Sequence, residues 1–129
     1  MSDKFTVEII SPDKLILNSE ASEVIIPSYE GQMGILKDHI SLITFLRPGV
    51  ISIKSQDEKK YFVEEGTVEF SNNTLLILTS TAKNLQELDQ NSIEDLLKQA
   101  EKKLSESNSS DKEKYLLSYN INTLKEISQ

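Results

Sequence analysis

Few residues in this sequence could do chemistry, and their spacing narrows the options further. His39 is the single histidine and directly follows Asp38. A carboxylate beside an imidazole has the parts for general base catalysis. Adjacent residues in a strand or turn point apart, however, and no nucleophile is near in sequence, so a loop histidine bonded to backbone is expected. Glu64, Glu65 and Glu69 form a second group. Paired acids can run glycoside hydrolysis. Glu64 and Glu65 would face opposite sides of a strand, and Glu65-Gly66 reads as a turn, which suits a solvated edge that resists aggregation. The third place is Pro27–Leu36, with Gly31 and Gly34. Such glycines cradle a phosphate when a helix and a Lys-Ser/Thr pair follow. Strand-like residues follow instead. The segment reads as a tight turn exposing Tyr29, Glu30, Gln32 and Met33, a protein-contact tip. No catalytic residue is assigned.

Composition sets outer bounds. The 129 residues suit one domain or a small domain with an appendage. A net charge of −7 and a pI near 4.7, without a basic stripe, argue against nucleic acid as partner. The absence of cysteine excludes disulfides and thiolate metal sites, and a lone histidine excludes His-based metal cages. No cofactor is expected. The start, Met1 to Phe5, lacks a signal-peptide pattern, and no apolar run approaches the roughly 20 residues of a membrane helix. A soluble protein able to dock on something in a membrane is expected.

Two kinds of periodicity divide the chain. Phe5, Val7 and Ile9 alternate with Thr6 and Glu8, and Leu15 and Leu17 continue the pattern after Ser11-Pro12-Asp13. Val24-Ile25-Ile26 reads as a strand ending at Pro27. Leu42–Leu46, Ile51 with Ile53, Tyr61–Val63, Val68 with Phe70, and Leu75–Thr79 read as further strands. Turn signals at Pro48-Gly49, Ser55-Gln56-Asp57, Glu65-Gly66 and Asn72-Asn73 separate them. Short strands at this spacing imply a sandwich or barrel. From Gln86 onward there is neither Gly nor Pro, and Ile93, Leu96, Leu97, Ala100 and Leu104 fall at helical spacing. Ser92 with Asp95 resembles a capping box. Ser105 to Asp111 is too polar to extend that helix. Asp111 is expected to cap a second one, with Tyr115, Leu116, Tyr119, Leu124 and Ile127 on its apolar side. The fold class expected is mainly β plus α: a flattened β-sandwich over 1–84, then an antiparallel two-helix hairpin over 85–129, with helices at about 92–106 and 111–127.

The contact tip carries a more specific signal. Ile26-Pro27-Ser28-Tyr29-Glu30-Gly31-Gln32-Met33-Gly34-Ile35-Leu36, followed by His39, Leu42, Thr44, Leu46 and Pro48-Gly49-Val50, closely resembles the epsilon subunit of F-type ATP synthases. Phe5 to Asp13, Phe62 to Phe70 and Leu75 to Thr79 match other strands of that family, so the resemblance spans residues 4–82. It implies a non-catalytic part of the rotating central stalk, which couples proton flow to ATP synthesis. The partners it implies are the gamma subunit, the polar loops of the c-ring and, through the helices, the alpha/beta subunits. The location it implies is the cytoplasmic face of the bacterial inner membrane, peripherally bound. Carried over from the family, the c-ring contact residues are Tyr29, Glu30, Gln32 and Met33, with His39 and Leu42 near that surface.

The hairpin departs from the family. The nucleotide-binding pattern falls on Leu88-Asp89-Gln90-Asn91-Ser92-Ile93, where Asp89 is present but Ser92 replaces the arginine. The only arginine is Arg47, in the sandwich. Lys98, Lys102 and Lys103 lack the planar fork that suits a triphosphate. ATP binding is therefore not expected, and Asp89 is expected to be a helix cap or a solvated residue. Asp111 to Gln129 is electrically neutral, so inhibition of ATP hydrolysis through an acidic cleft should be weak. Two other readings compete. A free-standing sandwich that binds a ligand or peptide needs a concave apolar pocket. A hydrolase would use Glu64, Glu65 or Asp38-His39.

Overall fold

A computed structural model describes residues 3–106 and 110–128. Ten strands precede two helices: β1 (Phe5–Ile10), β2 (Leu15–Ala21), β3 (Glu23–Ser28), β4 (Gly31–Leu36), β5 (Leu42–Leu46), β6 (Gly49–Lys54), β7 (Glu58–Val63), β8 (Gly66–Ser71), β9 (Thr74–Leu78), β10 (Lys83–Asn84), α1 (Gln90–Ser105) and α2 (Asp111–Ile127). Contacts divide the chain into two units, one ending at Leu85 and the other beginning at Gln86.

Strand order explains the sandwich. The ladder runs β10-β7-β6-β3-β5-β8-β9-β1-β2, with β4 paired to β3. Between β3 and β5 the connection thins to one pair, Ser28 opposite Leu46. Here the sheet passes from one layer to the other. Alternation then aims one face of each layer at a shared interior. Val24, Ile26, Ile35, Ile51, Ile53, Tyr61 and Val63 come from the first layer. Phe5, Val7, Ile9, Ala21, Leu46, Val68, Phe70, Leu75 and Ile77 come from the second. Phe5 and Phe70 meet edge to face with centroids 5.6 Å apart. The β1–β9 pair is parallel and the other pairs are antiparallel. Phe62 is also buried but points away from Tyr61 and Val63 and lies outside that cluster.

The strand expected to end at Pro27 continues to Ser28. Pro27 sits opposite Gln32, and its carbonyl accepts the Arg47 N–H at 2.9 Å. Its missing N–H therefore interrupts little. Pro27–Leu36 is likewise not a loop but the β3–β4 hairpin, with only Tyr29 and Glu30 in the turn. Asn72 and Asn73, both at positive φ (50° and 55°), make the β8–β9 turn, the type I′ geometry that matches strand twist.

In the second unit, α1 starts at Gln90, earlier than the Ser92 capping box implied. Asp89 is the cap: its carboxylate accepts the Ser92 N–H at 2.7 Å. Ser110, not Asp111, caps α2, with its hydroxyl accepting the Glu113 N–H at 3.1 Å. Part of the inter-helix turn, Ser107 to Ser109, lies outside the described residues. The end of α1 (Lys103, Glu106) and the start of α2 (Glu113, Leu116) line one surface hollow, as an antiparallel hairpin requires. The α1 stripe buries Ile93 and Ala100, with Leu96, Leu97 and Leu104 half-buried. The α2 stripe differs from expectation. Asn120, Ile121 and Leu124 are buried, whereas Tyr115 is exposed and its ring packs on Tyr119 at 4.9 Å.

Gly66 is the tightest point of the sandwich. At φ +155° an added Cβ would lie 2.5 Å from the Leu78 carbonyl oxygen and 3.1 Å from Leu46 Cδ1. Gly31, at φ +122°, has open space around it. Gly66→Ala is expected to cost about 3 kcal/mol, from clash and backbone strain together, and Gly31→Ala only about 1 kcal/mol. Urea unfolding midpoints of the two variants check this; equal midpoints would contradict it.

Candidate interaction surfaces

Two surfaces of the sandwich present unusual side chains. The first is the tip of the β3–β4 hairpin. Ser28, fully buried, shapes it: its hydroxyl donates to the Gly31 carbonyl at 2.7 Å and accepts the Glu30 N–H at 3.3 Å. Beyond it Glu30 and Gln32 are exposed. Met33 is not exposed as expected. In β4 the odd residues face inward, and Met33 packs half-buried against the core. Tyr29 is exposed but turns sideways, its ring centroid 6.4 Å from that of Phe45.

The second surface is the outer face of the second layer. In β5, Ile43 and Phe45 are 76% and 57% exposed and alternate with the half-buried Leu42 and Thr44 and the buried Leu46. Register extends the row: Phe45 lies opposite Thr67, Thr67 opposite Leu78, and Leu78 opposite Ile10. Leu78 is itself exposed. Beside this row, Ile10, Pro12, Tyr29, Phe45, Thr67 and Leu78 line an open groove of about 570 Å³. Large apolar side chains side by side on an exposed sheet face mark a contact site. Reading Leu42–Leu46 as one apolar run leaves Ile43 and Phe45 undistinguished from their neighbours. Alternation within that run would have found them.

The predicted contact residues do not gather in one place. Tyr29, Glu30 and Gln32 share the hairpin tip. His39 and Leu42 lie beyond the far end of β4, about 20 Å of strand away. The His39 Nδ1 is 2.7 Å from the Ile40 carbonyl, and its ring packs edge-on against Phe70 with centroids 5.9 Å apart. Leu42 packs against the core. The Asp38 carboxylate accepts from Asn73, not from His39. Glu65 accepts the Ser80 hydroxyl at 3.3 Å, Glu69 is exposed on β8, and the Glu64 N–H donates to Thr81 at 3.0 Å. Glu64 and Glu65 share the β7–β8 turn, Glu69 lies on β8 and Asp38 in the β4–β5 loop. Among the described residues no group of three His, Asp or Glu could hold a metal ion.

Asp89 serves its helix. The backbone N–H of Ser92, and then the Ser92 hydroxyl, hold its carboxyl below the ordinary value of 3.8. A carboxyl depressed on folding stabilises the fold above its unfolded value, and that contribution is lost as pH falls through the folded value. Asp89→Ala is expected to lower helix content at neutral pH, and the deficit should close on acidification below the ordinary carboxylate range. Asp89→Asn should keep most of the helix. Far-UV circular dichroism against pH checks both; an acid-insensitive deficit in Asp89→Ala would contradict the capping role.

Known proteins match both units. Residues 4–85 match the family described as ATP synthase, Delta/Epsilon chain, beta-sandwich domain. An ATP synthase epsilon chain from Pelagibacter ubique is 48% identical over 127 residues, covering 97% of this chain and 98% of that one. One from Gloeothece citriformis is 36% identical, covering 86% and 82%. In fold, a chain of the Euglena gracilis mitochondrial ATP synthase, solved as an OSCP/F1/c-ring assembly, superposes with TM-score 0.81 at 19% identity, covering 100% and 84%. A chain of the Tetrahymena thermophila mitochondrial ATP synthase central stalk and c-ring superposes with TM-score 0.66 at 16% identity, covering 96% of each. By sequence over almost its whole length, the chain belongs to the family of ATP synthase epsilon chains, non-catalytic subunits of that complex.

Proposed function

We propose that the chain works as the rotor's coupling piece, with its apolar flank against the gamma subunit and its polar hairpin tip against the loops of the c-ring. The observation that carries this is the outward row Phe45, Thr67, Leu78 and Ile10, with Ile43 beside it on β5. An apolar sheet face loses free energy when covered, at about 25 cal/mol per Å². A stable obligate partner meets that need better than a transient ligand. Glu30 and Gln32 suit polar loops, and Tyr29 joins tip to flank. Met33 supports the tip from within, while His39 and Leu42 pack inward beyond the far end of β4. Torque passes between ring and gamma through a sandwich whose core is continuous from layer to layer. The position is peripheral, on the cytoplasmic face of a bacterial inner membrane; among the described residues no helix is long and apolar enough to cross one.

The hairpin's role is limited. No arginine follows Asp89, whose carboxylate is engaged by Ser92. We propose that it binds no ATP and inhibits hydrolysis weakly. Its second helix carries Lys112, Lys114 and Lys125 against Asp111, Glu113 and Glu126, which gives no net attraction to acidic partners. Alpha/beta contacts made through it are regulatory only.

Phe45→Asp is expected to weaken gamma binding about tenfold or more, since it leaves a charge unpaired within a buried contact. Gamma co-purification and titration with the variant test this; unchanged affinity, with the sandwich still folded, would overturn the flank assignment. Removing residues 86–129 should leave ATP hydrolysis by the assembled complex little changed, and calorimetry with ATP should show no saturable heat. A large rise in hydrolysis, or saturable binding, would overturn the limited role.

A further inference from the structure

We infer that Asn73 is the positioning residue for the β4–β5 loop, holding it in the shape that presents Ile40 to gamma. The inference rests on the stalk reading above. The loop, residues 37–41, carries Ile40 at 79% exposure, directly before the strand that bears Ile43. Its turn depends on Asp38, which sits at φ +67°. Such a conformation is uncommon for a residue with a Cβ and persists when surrounding bonds fix it.

Those bonds come from Asn73, 35 residues away. The Asp38 N–H donates to Asn73 Oδ1 at 2.7 Å, and Asn73 Nδ2 donates to Asp38 Oδ1 at 2.9 Å. One amide thus grips both the backbone and the side chain of Asp38. The grip has a fixed base, because the Asn73 carbonyl accepts the Thr6 N–H at 3.0 Å and Asn73 is locked in its own type I′ turn. Beyond Asp38, the His39 N–H donates to the Leu36 carbonyl at 3.1 Å, and the imidazole packs on Phe70 of the core. Asn73 therefore joins β1, the β8–β9 turn and the loop, and Ile40 projects from the result. The clasp is exposed. Exposed hydrogen bonds add little to global stability, so what this pair supplies is geometry. It keeps the loop in one conformation before the partner arrives, which removes an ordering cost from binding.

Asn73→Gly isolates the side chain, since glycine retains the left-handed turn. It is expected to weaken binding of the full chain to gamma about tenfold, as if one molecule in ten held the loop correctly. Amide exchange at Asp38 and His39 should quicken while core amides stay protected. The double variant Asp38→Asn with Asn73→Asp keeps the backbone N–H bond to residue 73 and exchanges donor and acceptor in the side-chain bond, and should restore affinity and protection together. A merely structural role would not predict that rescue. Wild-type affinity in Asn73→Gly, or a swap that recovers protection but not affinity, would overturn the inference. If the unaltered chain fails to bind gamma, the stalk reading falls instead. Exchange at Asp38 then decides the clasp alone, and equal rates in wild type and Asn73→Gly overturn it.

Discussion

The sandwich turns on one corner, where Ser28 of β3 meets Leu46 of β5. A single residue pair joins the layers on the strand path, so the local packing there must be exact in volume. Leu46 is buried against Gly66, which has no room for a Cβ. Pro27 lies against Gly49 just as closely: a Cβ there would fall 2.6 Å from that of Pro27. Close backbone approach of this kind explains why glycine and proline stand at these positions. Everything with functional meaning hangs from this corner. On one side Ser28 shapes the hairpin tip. On the other, β5 leaves with Leu46 turned in and Phe45 turned out.

That geometry divides work between two surfaces while one core connects them. Side chains from both layers interlock in a single cluster, and close-packed interiors transmit strain with little compression. A part that only transfers torque needs this, together with two differing contact faces. Among the groups that could do chemistry, the Asp38 carboxylate is bonded by Asn73, Glu65 by Ser80, and His39 packs on Phe70. The helical unit is built differently. Two short amphipathic helices, each begun by a side-chain cap, bury a narrow stripe against one another. Such helices have little stability alone, which makes this unit the more adaptable part.

Much of the fold was legible in the sequence, because period-two alternation and turn residues act locally. β1, β6 and β8 follow directly from their alternating apolar positions. β4 was not legible: glycines at 31 and 34 read as loop, yet pairing with β3 along six residues outweighs their low strand preference. Asp89 takes the capping role expected of it, whereas Ser110 replaces Asp111, the residue expected to cap α2; in each helix the acceptor just before the first turn takes a free N–H. The contact surfaces were half legible. The resemblance pointed to the tip, but Met33 faces inward by strand alternation, and His39 and Leu42 lie at the other end of β4. The Asp38–Asn73 clasp was invisible, since no local pattern links residues so distant in sequence.

The central claim is that the outward row of β5 meets gamma while the hairpin tip meets the ring. Site-directed cross-linking in the assembled synthase tests it directly, because the chain has no cysteine to interfere. Single Ile43→Cys and Gln32→Cys variants would each be paired with cysteines introduced into gamma and into the c-ring loops. The account predicts that position 43 links to gamma and position 32 to the ring. Position 43 linking to the ring, or neither position linking to its partner, would contradict it.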